Sequence, residues 1–276
     1  MTILSAASSC GALTAIGLAL EFIAPTSQRT TSRRVDQAPL ASLPVSGLSS
    51  VDMPSGTRRL AAVLMVVAVV LANVAFLGLG SVFNYPDILQ ESASKILAEF
   101  REDQGTIITL FVVLALSAAL LAPIALLVGR LAPNQLGRWS IRVGIAAAVV
   151  QVIGLMRWPL IVPFLADRQN TDTFETVHTT LGTVIGETLG YLLTATWTVL
   201  VIYAFAQRLA GPWFKYLGLV AAALIAVGVF VPLDVPGTDF ANFAGYILWS
   251  VWLLIFAVLI WRRSYVADPA APQLAT

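Results

Sequence analysis

Long apolar runs recur along the chain from about residue 60 onward, and shorter polar stretches separate them. A run of roughly 20 apolar residues is long enough to cross the hydrocarbon core of a membrane as an α-helix. Six runs reach that length, so the pattern predicts an all-α, polytopic bundle of six transmembrane helices. The predicted spans are residues 60–82, 106–128, 143–165, 180–206, 216–233 and 243–261.

Composition supports this class, because 58% of the residues are hydrophobic and only 11% are charged, against roughly 25% charged in soluble proteins. The lipid bilayer is therefore an expected partner, and nucleic acid is not. Cys10 and His178 are the only cysteine and histidine. Multi-cysteine and multi-histidine metal centres and bis-histidine haem are thus excluded within one chain, and we expect no metal and no cofactor.

The basic residues predict the orientation, because short loops rich in Lys and Arg stay in the cytoplasm. Twelve of the sixteen basic residues fall on one side of the predicted spans and three on the other, which leaves Arg157 alone within a span. The twelve are Arg29, Arg33, Arg34, Arg58, Arg59, Arg130, Arg138, Arg142, Arg208, Lys215, Arg262 and Arg263. Acidic residues dominate the alternate loops, so both termini are predicted to be cytoplasmic.

Three regions follow from this pattern. Residues 58–263 form the six-helix domain, and residues 264–276 form a cytoplasmic tail. Residues 1–57 form an N-terminal extension in which a weakly apolar segment precedes a Ser-, Thr-, Pro- and Arg-rich linker, which predicts cytoplasmic disorder. Either the apolar segment is a seventh, weakly membrane-associated element, or translation begins near Met53.

The loop after the first span carries its own helical pattern. Ile88, Leu89, Ile96 and Phe100 recur at roughly helical spacing after Pro86, which suits a first helical turn. This predicts a short amphipathic helix on the outer interface of the membrane. It acts either as a stabilising cover over the bundle or as a functional lid.

The third span holds the most unusual chemistry. Arg157 lies inside an apolar run together with Gln151, Trp158, Pro159 and Pro163. Proline removes a backbone donor and clashes with the preceding turn, so Pro159 predicts a kink beside the arginine, and Pro163 is expected to mark the outer end of the span.

The fourth span supplies a partner for this charge. Gly182, Gly186 and Gly190 recur every four residues and form a smooth stripe for close helix packing. Glu187 lies beside the stripe, and Tyr191 continues a polar strip along the same side. Since the third and fourth spans are antiparallel, Arg157 and Glu187 are predicted at the same depth, roughly 12 Å below the outer surface.

A charge inside a membrane is unfavourable by about 2.5–3.5 kcal/mol on insertion scales, so each of the two residues is expected to face a partner or water. Three arrangements remain open: an ion pair that sets the register of the two helices, a ligand, ion or proton site, and an Arg157 that reaches an interface. His178, at the predicted outer mouth of the fourth span, is either a pH sensor or an ordinary interfacial residue.

Short motifs at these positions resemble a family of uncharacterised bacterial multi-pass membrane proteins, DUF4386. The motifs are Phe83-Asn84-Tyr85-Pro86-Asp87-Ile88-Leu89, Arg157-Trp158-Pro159, His178, Gly186-Glu187, Leu189-Gly190-Tyr191 and Trp197. The resemblance covers roughly Arg58 to Arg263 and implies a six-helix fold in a bacterial cytoplasmic membrane. Members often place a second histidine after the glutamate, where this chain has Thr188, which argues against a two-histidine site.

The leading functional hypothesis is non-enzymatic binding or transport of a small molecule or ion at a polar site between the third and fourth spans. The alternative is a structural or sensory accessory subunit, in which Arg157 and Glu187 form a purely structural pair and the contacts are to a membrane protein or a second copy. A membrane enzyme is least favoured, because no nucleophile motif accompanies the single histidine.

The charge pattern generates a test of orientation. We expect green fluorescent protein fused after Thr276 to fluoresce and alkaline phosphatase fused there to be inactive, because both terminal segments lie on the basic side. Fusions after Gln169 serve as the matched control and should give the opposite pair of results. Phosphatase activity after Thr276 would contradict the predicted topology.

Overall fold

The computed structural model describes residues 55–205 and 211–262. Residues 1–54 of the predicted N-terminal extension, which include Met53, and the C-terminal tail lie outside the described residues, while the last three residues of the predicted extension begin the first helix. Within them every regular element is helical. The α-helices are Ser55–Phe83, Ala93–Glu102, Gln104–Ala119, Leu121–Leu131, Gln135–Leu160, Val162–Asp167, Thr171–Val177, Gly190–Phe205, Pro212–Val227 and Thr238–Arg262, with 3-10 turns at Asp87–Gln90 and Gly228–Leu233 and a π-helix at His178–Leu189.

In residues 55–205 and 211–262, six helical stretches are long and apolar enough to cross a membrane. They are Gly56–Phe83, Gln104–Leu131, Gln135–Asp167, Thr171–Phe205, Pro212–Leu233 and Thr238–Arg262, referred to below as the first to sixth spans. The predicted number and order of spans are confirmed. The chain is an all-helical membrane protein whose spans contact the lipid bilayer.

The third span begins eight residues before its predicted start at residue 143. The Asn134 side chain accepts a hydrogen bond of 2.8 Å from the Gly137 amide and caps the helix Gln135–Leu160. Arg138 and Arg142, which the apolar pattern assigned to a loop, therefore lie in the first turns of the helix. A hydropathy pattern detects the apolar centre of a helix and misses polar turns at its end.

The fourth span likewise begins at Thr171 and not near residue 180. The Asn170 side chain accepts a 3.1 Å hydrogen bond from the Thr173 amide and caps the helix Thr171–Val177. His178 consequently lies inside the fourth span, whereas the sequence pattern placed it at the outer mouth of that span.

The third span is interrupted between its two prolines. The helix Gln135–Leu160 continues through Pro159, and a break follows at Ile161 before the helix Val162–Asp167. Pro163 lies in the first turn of that second helix and has no N–H to donate to the Pro159 carbonyl, which explains why the break falls there. The predicted irregularity is present, but Pro159 alone does not produce it.

The six spans form a ring in which each packs against its neighbours in sequence, and the sixth packs against the first. Side-chain hydrogen bonds support two of these contacts. Asn73 Nδ2 on the first span lies 3.4 Å from Ser250 Oγ on the sixth, and Asn242 Nδ2 on the sixth donates to the Ile225 carbonyl on the fifth at 2.9 Å. Such bonds join helices where lipid offers no polar partner.

Basic and aromatic side chains meet at one end of the ring. The Arg59 guanidinium carbon lies 5.8 Å from the Trp261 ring, which joins the start of the first span to the end of the sixth. Lys215 Nζ lies 4.8 Å from the Tyr203 ring, which joins the fifth span to the fourth. Antiparallel neighbours thus bring the basic residues to one end, as their alternation along the chain predicts.

The helix Ala93–Glu102, here called the loop helix, covers the opposite end. It packs against the short helices Val162–Asp167 and Thr171–Val177, and Ile96 and Phe100 are buried in that contact. The sequence predicted one helix that begins after Pro86, whereas the chain forms a 3-10 turn and then restarts at Ser92, whose hydroxyl accepts a hydrogen bond from the Lys95 amide. The predicted apolar face of the loop helix is present, and it packs against other helices of the protein.

The third and fourth spans touch backbone to backbone at glycines. A Cβ atom on Gly154 would overlap the Gly186 Cα, and one on Gly186 would lie 2.8 Å from the Gly154 Cα. These two positions therefore have no room for any side chain. Close approach of this kind is the usual role of small residues between membrane helices.

This contact generates a stability prediction. We expect Gly154→Ala to lower the unfolding free energy by about 1–3 kcal/mol, because the added carbon meets backbone that cannot move aside. Gly105→Ala is the matched control, since nothing lies within 4 Å of its Cβ position and alanine favours a helix. Thermal unfolding of the purified proteins in detergent measures both; equal melting temperatures for the two variants would contradict the backbone contact.

Candidate functional site between the third and fourth spans

Arg157 is buried in the last turns of the helix Gln135–Leu160, with only 3% of its surface exposed. Its Nη1 donates a hydrogen bond to the Gly154 carbonyl in the preceding turn. The fourth span covers the guanidinium at Gly182, where a Cβ atom would lie 2.6 Å from Cζ and Nη2. The absence of a side chain at Gly182 therefore makes room for the arginine.

Glu187 is the acidic neighbour of this arginine, but the two side chains do not form a hydrogen bond. Arg157 Nη2 and Glu187 Oε1 are 3.9 Å apart, whereas charge-assisted N–H···O bonds measure about 2.7–2.9 Å. Arg157 Nε, Arg157 Nη2 and Glu187 Oε1 are all buried without a hydrogen-bond partner. The Glu187 side chain is nevertheless 21% exposed, so a water-sized sphere reaches part of it.

Three tyrosines belong to the electrostatic environment of the Glu187 carboxylate. Tyr85, Tyr191 and Tyr246 lie within electrostatic reach of Glu187, and the rings of Tyr191 and Tyr246 are 5.9 Å apart. Tyr85 lies just beyond the first span; burial, followed by the nearby Glu187 carboxylate, raises the pKa of its phenol. Phenols in this position are neutral groups that can donate or accept hydrogen bonds.

Tyr85 and Tyr246 were absent from the residues that the sequence singled out. Tyr85 follows the first span and Tyr246 lies in the sixth, far along the chain from Glu187. Tyr85 belongs to the motif that follows the first span, and that motif was the sequence signal that could have identified it as a site residue. Only the closed ring brings both tyrosines to the site.

Glu187 and two of the predicted packing glycines, Gly182 and Gly186, lie in the π-helix His178–Leu189. A π-helix has i→i+5 backbone hydrogen bonds, occurs mostly as a single turn and is frequent at functional sites. Gly190 begins the following α-helix, where a Cβ atom would lie 3.0 Å from Gln151 Cγ. All three glycines thus face the third span. The sequence pattern assumed an α-helix throughout.

An aromatic cap of five side chains from four spans and the loop helix lies on the loop-helix side of Arg157. Its members are Phe83, Phe100, Phe111, Trp158 and Phe174, all buried. Trp158 stacks on Phe111 with ring centroids 4.7 Å apart, and the Arg157 guanidinium carbon lies 5.2 Å from the Trp158 ring. Trp158 therefore connects the cap to the charged site.

Gln151 and His178 occupy separate positions around this centre. Gln151 Nε2 donates a 2.9 Å hydrogen bond to Thr194 Oγ1, so it joins the third and fourth spans nearer the middle of the helix. The His178 ring stacks on Phe174 at 5.5 Å, and its Nδ1 is buried without a partner. Gln151 is thus already satisfied, whereas His178 lies toward the aromatic cap and within electrostatic reach of Arg157.

Two further features of the described residues bear on the site. In residues 55–205 and 211–262, no group of three or more His, Cys, Asp or Glu side chains is placed to hold a metal ion. A cavity of about 230 Å³ lies where the loop helix meets the connection between the third and fourth spans, away from Arg157. It is lined by Ser94, Leu97, Ala98, Arg101, Gln169 and Thr171.

The chain belongs to a family of membrane proteins whose role is open. The family described as a domain of unknown function, DUF4386, matches residues 60–257, which include the six-span ring and the site almost completely. This confirms the resemblance carried by the motifs. No curated protein and no solved structure matches the chain.

The position of Gly182 generates a prediction that differs from that at Gly154. We expect Gly182→Ala to lower the unfolding free energy less than Gly154→Ala does, by about 1 kcal/mol or less, because the added carbon meets the movable end of Arg157. In an Arg157→Gln background the same change should have almost no effect, because the guanidinium is gone. Thermal unfolding of the four proteins of this double-mutant cycle tests it; additive effects would show that Gly182 does not pack on Arg157.

Proposed function

We propose that this protein binds or transports a small molecule or ion at the Arg157–Glu187 site, without catalysing a reaction. The observation that carries the proposal is a buried guanidinium with two unpartnered nitrogens beside a carboxylate with an unpartnered oxygen. Polar groups that are buried in a membrane without partners are strongly unfavourable. A ligand, or water that a ligand displaces, would supply the missing hydrogen bonds.

Other polar groups in the same ring support this interpretation by contrast. Gln151 bonds to Thr194, and Trp249 Nε1 donates to Thr198 Oγ1 at 2.8 Å. These neighbours are satisfied within the protein, whereas the buried indole nitrogens of Trp158, Trp197 and Trp252 are not. Arg157 differs from those indoles because it carries a charge, whose burial without partners is far more unfavourable. The Glu187 side chain is also partly exposed, so there is space for a water-sized group beside it.

The proposed setting is a bacterial cytoplasmic membrane with both termini in the cytoplasm. In this orientation the loop helix lies at the outer interface, and the aromatic cap stands between that interface and Arg157. The basic and aromatic contacts at the other end of the ring support this orientation. The loop helix then covers the site from outside, and access past it requires the aromatic cap to move.

A structural ion pair is the second candidate, and the backbone contact of Gly154 with Gly186 favours it. Helices that approach so closely need a defined register, which a charge pair can supply. The protein would then serve as a structural or sensory subunit for a membrane partner or a second copy. This candidate requires the space around Glu187 to be dry.

Cysteine labelling separates the two candidates. In a Cys10→Ser background, which removes the only cysteine, we expect Tyr191→Cys to react with a charged, water-soluble methanethiosulfonate. The reason is that such reagents reach thiols only through water. Val184→Cys is the matched control: Val184 is 45% exposed on the same span, and we expect its thiol to face lipid and stay unlabelled.

Unfolding in sodium dodecyl sulfate should make both thiols reactive, which shows that each is chemically competent. If Tyr191→Cys stays unlabelled in the folded protein, the binding or transport proposal fails and the structural pair is supported. Labelling of Tyr191→Cys together with protection of Val184→Cys supports a water-accessible site inside the ring.

A further inference from the structure

The edge of the Arg157 guanidinium formed by Nε and Nη2 is the part of the site that lacks partners. Nη1 is already bonded to the Gly154 carbonyl. A Cβ atom on Gly182 would lie 2.6 Å from Cζ and Nη2 and 3.0 Å from Nε. An atom opposite the Nε/Nη2 edge would lie farther from Cζ than from either nitrogen, so Gly182 covers the guanidinium face and is not the group opposite this buried, unpartnered edge.

The unpartnered edge favours a particular shape of ligand. Nε and Nη2 present two nearly parallel N–H groups, which match the two oxygens of a planar carboxylate in a bidentate pair. A spherical halide cannot satisfy both donors equally well. Since Arg157 contributes a single positive charge, a monovalent carboxylate matches the site better than a dianion such as sulfate.

Charge balance then requires a proton. Without ligand, the charges of Arg157 and Glu187 compensate each other, and an added carboxylate leaves one uncompensated negative charge in a region of low dielectric constant. A proton taken from water by Glu187 restores the balance. It also turns the Glu187 carboxyl into an O–H donor, which can bond to an oxygen of the ligand.

Among the charged and titratable groups near Glu187, none competes with it as the proton acceptor. They are Arg157 from the third span, Tyr85 after the first, Tyr191 on the same span and Tyr246 from the sixth, while His178 interacts with Arg157. Arginine stays protonated, and phenols ordinarily ionise only near pH 10. Between pH 5 and 8, the carboxyl and the imidazole are therefore the groups to distinguish experimentally.

We propose that the site binds a monocarboxylate anion on the Nε/Nη2 edge of Arg157 together with one proton on Glu187. This inference rests on the proposed function and specifies its ligand class. The juxtaposition of an unpartnered guanidinium edge with an unpartnered carboxyl oxygen 3.9 Å away carries it. Binding of the anion and binding of the proton strengthen each other, because each removes the charge that opposes the other.

Acetate is the probe for this inference. We expect the purified full-length protein in lipid nanodiscs to bind sodium acetate saturably, with the dissociation constant rising up to about tenfold per pH unit between pH 5.5 and 7.5, as uptake of one proton requires. Calorimetry in two buffers with different ionisation heats should show uptake of about one proton per acetate. Sodium chloride keeps the ionic strength constant, and chloride or sulfate should compete weakly.

Two conservative variants assign the roles. We expect Glu187→Gln to bind acetate at every pH with an affinity near that of the wild type at pH 5.5, because the amide imitates a neutral carboxyl group. Arg157→Lys should bind at least about tenfold more weakly at every pH, because an ammonium group keeps the charge and loses the planar fork. Glu175→Gln and Arg168→Lys, at exposed positions nearby, are the matched controls and should behave like the wild type.

Several results would overturn the inference: no saturable acetate binding, binding that does not depend on pH, equal competition by chloride or sulfate, or pH dependence that persists in Glu187→Gln and so points to His178. The wild-type titration decides the first three without any variant. If Tyr191→Cys is labelled from water while acetate does not bind, the proposed function stands and the monocarboxylate assignment fails. If Tyr191→Cys is protected, both fail together.

Discussion

The backbone contact between Gly154 and Gly186 is the constraint on which the site depends. Because neither residue has a side chain, the third and fourth spans approach closely enough for Gly182 to lie over the Arg157 guanidinium. The same approach brings Glu187 to within 3.9 Å of Arg157. A larger residue at either contact would move the two charged helices apart, so the position of the charges follows from packing between small residues.

The ring treats its polar groups unequally. Side chains of Asn73, Gln151, Asn242 and Trp249 all have hydrogen-bond partners on another span, as groups shielded from water require. Arg157 is more deeply buried than most of them and retains two unpartnered nitrogens. The indole nitrogens of Trp197 and Trp252 are also unpartnered, but an unpartnered buried charge is the more unfavourable case. A charged group of this kind inside a membrane span is a candidate for a binding site, where a ligand would supply the missing acceptor.

The aromatic cap and the loop helix complete this arrangement at one end. Phe100 reaches from the loop helix to Trp158 with ring centroids 5.8 Å apart, and Trp158 in turn lies against Arg157. A movement of the loop helix would therefore be transmitted to the Arg157 guanidinium through the packed rings of Phe100 and Trp158. The family match spans residues 60–257, a range that includes the loop helix and all five residues of the aromatic cap.

The apolar runs were enough to predict the all-helical class, the six spans and their order, because lipid permits only elements whose backbone groups are satisfied internally. They also predicted Arg157 and Glu187 as level neighbours, since antiparallel helices of known length leave little freedom in depth. The apolar pattern did not predict that the third and fourth spans start directly after Asn134 and Asn170, because polar capping turns carry no hydrophobic signal. The tertiary structure alone showed that the ring closes and that Tyr85 and Tyr246 come within electrostatic reach of Glu187. It also showed that Arg157 and Glu187 do not form a hydrogen bond. Those features depend on distances between side chains from separate helices, which periodicity along a single helix does not encode.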